Sequence, residues 1–132
     1  MAITNMLFLA AVATVSSESP LPSDIPPDAV FYTQEDVKRS RYPEPYYPPE
    51  AMAAKVDAEV VVDCEVNTNG RLKRCAVVIE NPPGMGFGKP TAILFLKHAK
   101  VKTETGSIPP GTWKKFRFLW RYQDYQQAAH TR

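Results

Sequence analysis

The chain has 132 residues, 44% of them hydrophobic and 23% charged, which suits one modest globular domain with extended chain attached. Sixteen basic and 14 acidic residues leave a net charge of +2, so bulk electrostatics give no ground for a nucleic-acid partner. Thirteen prolines, eight of them between Pro20 and Pro49, disfavour helix and central strand over much of the N-terminal third.

The chain opens on an apolar run, Met1 to Val15, followed by small residues and then by Glu18 and a proline-rich stretch. This outlines a signal peptide over residues 1–17, although no Lys or Arg precedes the run and two cleavage points compete, one after Ser17 and one after Ala13. As a helix, Ala2 to Val15 would span about 21 Å at 1.5 Å per residue. A bilayer core needs roughly 30 Å, so no transmembrane helix is expected. The alternative is a buried first helix of a cytosolic protein. Residues 18–41 read as a flexible spacer that would reach on the order of 70 Å when extended, or else as plain disorder.

Globular patterning begins near residue 42. Pro49 suits the first turn of a short helix through Met52 and Ala54, where its missing N–H costs nothing. The period then changes to two: Val60, Val62, Cys64 and Val66 share one face, and Glu59, Asp63 and Glu65 the other. Asn69-Gly70 supplies a tight hairpin turn, and a return strand runs from Arg71 to about Glu80. On it Cys75, Val77 and Ile79 share a face, while Leu72 breaks the pattern and suggests a bulge near Lys73 or Arg74.

Folding that hairpin as a two-residue loop sets Cys64 opposite Cys75 on the same face. In an oxidising compartment the pair is expected to form a disulfide, with an upper value of about 3 kcal/mol for the loop it closes. Two buried reduced thiols are the alternative. No metal is expected, because His98 and His130 lack ligand spacing.

Residues 81–90 form a loop whose three glycines lack the Gly-Lys-Ser/Thr ending of a phosphate cradle. A helix from Pro90 or Thr91 to about Val101 follows, with Ala92, Phe95, Leu96 and Ala99 turned to the sheet. After a second breaker, Phe116, Phe118, Trp120 and Tyr122 alternate with Lys115, Arg117, Leu119 and Arg121. This is a third strand, aromatic inside and largely basic outside, and the long charged side chains suit an edge. Residues 124–132 read as a polar tail. The expected fold is therefore α+β, a small three-stranded antiparallel sheet packed by two helices in the order α-β-β-α-β, over residues 42–123.

This order and these residues together resemble the TonB C-terminal domain family. Tyr47-Pro48-Pro49-Glu50-Ala51 resembles the family's opening Tyr-Pro-x-x-Ala. Val60 to Val66 followed by Asn69-Gly70-Arg71 resembles its first strand and turn, Cys75 to Ile79 its return strand, and Phe116-Arg117-Phe118 its last strand. The chain departs from the family at Asp57-Ala58, where a glycine is usual, and over Lys100 to Gly106, where prolines are.

The resemblance implies a non-enzymatic periplasmic protein that binds the TonB box of outer-membrane receptors, or a similar segment of another periplasmic protein, by strand addition, without a cofactor. It also implies a peptide-binding edge at Trp113, Lys115, Phe116, Arg117, Phe118, Leu119, Trp120 and Arg121, with Tyr47 and Pro48 nearby. A structural or self-associating envelope module, a homodimer through the same edge, is the second reading. An enzyme is the third, disfavoured because Ser107 and His98 belong to no triad or nucleophile elbow.

Overall fold

The computed structural model describes residues 21–130 and, over 127–130, the backbone alone. The expected signal segment, residues 1–17, lies outside the described residues. Four strands form one antiparallel sheet: β1 (Phe31–Thr33), β2 (Ala58–Val66), β3 (Leu72–Asn81) and β4 (Thr112–Trp120), in the order β1-β3-β2-β4. The helices among the described residues are α1 (Gln34–Arg39), α2 (Pro49–Ala53), α3 (Gly88–His98) and α4 (Tyr122–His130).

The α+β class is as expected, but three strands and two helices become four and four. The added strand and helix, β1 and α1, arise inside the stretch read as a spacer. Three residues are too few to display an alternating pattern, and Phe31-Tyr32-Thr33 pairs with Ala76, Cys75 and Arg74 through contacts that only the folded sheet supplies. Residues ahead of β1 also pack: Ile25 is buried, and Asp24 pairs with Lys115 on β4. At the other end β4 stops at Trp120. Tyr122, expected in that strand, instead begins α4, its N–H donating to the Asp57 carboxylate at 3.0 Å.

Pro49 does open α2. That helix ends through Lys55, whose φ of 57° lies in the left-handed region, with Lys55 N–H to Met52 O and Val56 N–H to Ala51 O. These are the two bonds of a Schellman stop, here made without glycine, and they swing the chain into β2.

In the hairpin, Gly70 N–H bonds to Asn67 O and Asn67 N–H to Arg71 O. The turn is thus a type I turn closed by a glycine at φ 90°, giving a three-residue loop in place of the expected two. A bulge at Lys73 then restores the register, because Glu65 pairs with Arg74 and Val66 with Leu72. Cys64 consequently faces Cys75, and the two form a disulfide. A second bulge at Val78 turns Ile79 to the outer face, correcting its expected place beside Val77. Gly70 has a second reason to be glycine: a Cβ there would stand 2.3 Å from the Val101 carbonyl oxygen.

Val60, Val62, Cys64 and Leu72 are fully buried beneath α3, which contributes Ala92 and Leu96 to the same core. Arg71 reaches back to the Lys97 and Ala99 carbonyls, satisfying orphan acceptors at the end of α3.

Candidate functional site

Nine consecutive residues of β4 pair with β2, from Thr112 opposite Val66 to Trp120 opposite Ala58. No strand pairs with the other side of β4 among the described residues. Because antiparallel bonding uses alternate residues, this free side presents a row of N–H and C=O groups with no strand partner.

The register sorts the side chains into two rows. Trp113, Lys115, Arg117 and Leu119 point to the outer face, opposite Glu65, Asp63, Val61 and Glu59. Lys115 meets the buried Asp63 carboxylate at 2.9 Å and also pairs with Asp24. These two carboxylates hold its ammonium pKa above the ordinary value, Asp24 contributing most, and Asp24 is lowered in turn. Arg117 pairs with Glu59. Arg74, ion-paired to Glu65 at 2.8 Å, lies over the rings of Phe31 at 4.5 Å and Trp113 at 5.1 Å. It thereby holds Trp113 against the sheet by a cation–π contact.

The inner row is Thr112, Lys114, Phe116, Phe118 and Trp120. Phe95 of α3 stacks on Phe116 at 4.9 Å and meets Phe118 edge-on at 6.1 Å. Trp120 is buried, donating its indole N–H to Thr91 Oγ1 at 2.8 Å, while the Thr91 hydroxyl donates to the Phe87 carbonyl at 2.7 Å. Tyr47 packs edge-on against Phe87 and Trp120, with centroids 5.4 and 5.5 Å away, and its hydroxyl donates to the Val56 carbonyl. Burial pushes its phenol up to about 12, with Asp57, Tyr125 and Asp124 adding to the effect.

Of the residues expected at the edge, the structure brings Trp113, Lys115, Phe116, Arg117, Phe118 and Leu119 together on β4. Arg121 follows it, exposed. Tyr47, Pro48 and Trp120 are buried, so their side chains support the end of β4 from beneath and present no surface of their own. Phe95 was expected to face the sheet but not to belong to the edge, and Lys114 was not among the expected edge residues. Alternation alone would have placed Lys114 in the aromatic row; the contribution of Phe95 needs the helix position. Among the described residues no group of His, Cys, Asp or Glu could hold a metal, and no helix is long and apolar enough to cross a membrane.

The family model described as Gram-negative bacterial TonB protein C-terminal matches residues 43–103. The matched segment is a TonB C-terminal domain. No curated protein and no solved structure matches the chain significantly. The TonB match takes in α2, the β2–β3 hairpin and α3, and it stops short of β4, which completes the sheet of this chain. The family is one of periplasmic, non-enzymatic protein-interaction domains related to energy transduction at outer-membrane receptors.

Proposed function

We propose that this chain is a periplasmic TonB-like protein that captures an extended segment of an outer-membrane transporter, its TonB box, by adding it as a fifth strand along β4. The observation that carries the reading is the free side of β4, nine residues or about 30 Å of strand that, among the described residues, has a strand partner on one side only. Backbone hydrogen bonds along that length supply much of the affinity, and the side-chain rows flanking it supply selectivity. The Cys64–Cys75 disulfide supports an oxidising compartment, in keeping with residues 1–17 as an export signal.

A titration of the oxidised protein with TonB-box peptides, followed by backbone NMR, tests the reading. Saturable shifts concentrated on Thr112–Trp120 are expected. A spectrum that no receptor peptide perturbs would remove the proposal.

A further inference from the structure

We propose that a cavity on the side of α3 turned away from the sheet binds an uncharged aromatic molecule of one or two fused rings. This site does not depend on strand addition along β4.

Helix α3 carries two stripes. Ala92 and Leu96 enter the core against the sheet, whereas Pro90, Ile93, Leu94 and Lys97 recur at i, i+3, i+4 and i+7 on another face. On that second face Ile93 is only 5% exposed. Residues 40–46 lie across it, tied down where Glu44 meets Lys97 at 3.5 Å and His98 at 2.8 Å. Between this segment and the stripe is a cavity of about 380 Å³. Trp120 and Tyr125 also line it, their rings stacked with centroids 5.5 Å apart. Glu44 and Pro45 are lining residues that are themselves exposed, so the cavity opens to solvent.

A volume of that size falls among small-molecule sites, which run from roughly 300 to 1,000 Å³. Its walls are largely ring and aliphatic surface: Tyr42 and Tyr46, with centroids 4.5 Å apart, come from the crossing segment, and Pro90, Ile93 and Leu94 from α3. A flat aromatic body suits such walls, because offset and edge-on ring contacts add to what the buried area alone contributes. Charge decides the rest. Glu44 and Lys97 are the only charged side chains on the cavity wall among the described residues, and they are paired with each other. A charged molecule would give up hydration on entering and meet no unmatched counter-charge, whereas a neutral ring has little hydration to lose. The occupant would also touch the aromatic group beneath the end of β4, since Tyr47 lies 5.5 Å from Trp120 and 4.9 Å from Tyr125. Binding there would stabilise the folded chain by mass action.

The test titrates the oxidised protein with indole and with its charged relatives indole-3-acetate and tryptamine, followed by amide and methyl NMR shifts. Saturable shifts at Tyr42, Tyr46, Ile93 and Leu94 are expected with indole, and binding about fivefold weaker or more for each charged relative. Leu94→Trp and Ser40→Trp each set a ring into the cavity from a different element. Both positions are half-buried, and the amide spectrum shows which variant keeps the wild-type fold. In a variant that keeps it, indole is expected to bind about tenfold weaker or more. Where neither keeps it, the comparison of the three ligands decides. No saturable shift up to the solubility of indole, shifts confined to other parts of the chain, equal or tighter binding of either charged relative, or undiminished binding in a folded, filled variant overturns the inference.

Discussion

The two edges of the sheet are built differently. β1 has three residues and runs at once into α1, where the Thr33 side chain accepts from Glu35 N–H and Asp36 accepts from Thr33 N–H at 2.7 Å. Gln34 then reaches across to the Leu72 and Leu96 carbonyls, at 3.1 and 2.9 Å. This edge is short and its chain is turned away, two ways in which natural sheets avoid unwanted pairing. β4 has nine residues, no described strand on its free side, and long charged side chains along it. The longer run of backbone groups without a described strand partner is thus at one edge, and that edge rests on the aromatic core.

The largest expected effect tests that support. Trp120→Ala removes the ring at the foot of β4 and leaves Thr91 Oγ1 without its indole donor. A loss of about 3–5 kcal/mol is expected. Tyr32→Ala, a half-buried aromatic on β1, is expected to cost less than half as much in the same urea unfolding experiment. Equal costs at the two edges would end the claim that they differ in how they are held.

The next effect is pH-dependent. The folded-state pKa of Tyr47 is raised by burial from 10.0 to about 12, so the folded protein keeps this phenol protonated where the unfolded chain ionises it. Its contribution is fully present below pH 10 and is lost as pH rises from about 10 to about 12, amounting to about 2–3 kcal/mol. Tyr125 shifts in the same direction, also through burial. Urea midpoints between pH 9 and 12 are expected to fall steeply for the wild type and less steeply for Tyr47→Phe. An unchanged slope in Tyr47→Phe would show that Tyr47 does not carry this effect.

The contrast between the edges also explains what the sequence revealed. β2, β3 and β4 were legible because each is long enough for period-two alternation to emerge, and the Cys64–Cys75 pairing followed from that register. The loop was read one residue too short, yet the pairing stood, because the bulge at Lys73 supplies the missing residue. β1 was hidden by its length and by the prolines before it. The burial of Ile25 and the pairing of Asp24 with Lys115 are long-range contacts with no local pattern to announce them. At the candidate site, alternation displayed the rows of β4. Which cations were already neutralised depended on Asp63, Glu59 and Asp24, and therefore on neighbours that only the fold brings together.

The smallest effect addresses the protected edge alone. Asp36→Ala removes the reciprocal half of the capping box that begins α1, at an expected cost of about 1 kcal/mol. Among the described residues β1 pairs with β3, and its Phe31 also meets Trp113 of β4 with ring centroids 6.1 Å apart. Because β2 and β3 lie between the two backbones and that contact is made by side chains, the loss is expected to stay largely local. Amide exchange at Phe31–Thr33 should quicken while Thr112–Trp120 keeps its protection and its response to peptide. If protection at β4 fell in parallel, the two edges would belong to one cooperative unit, and closing the β1 edge would also be a condition for presenting β4.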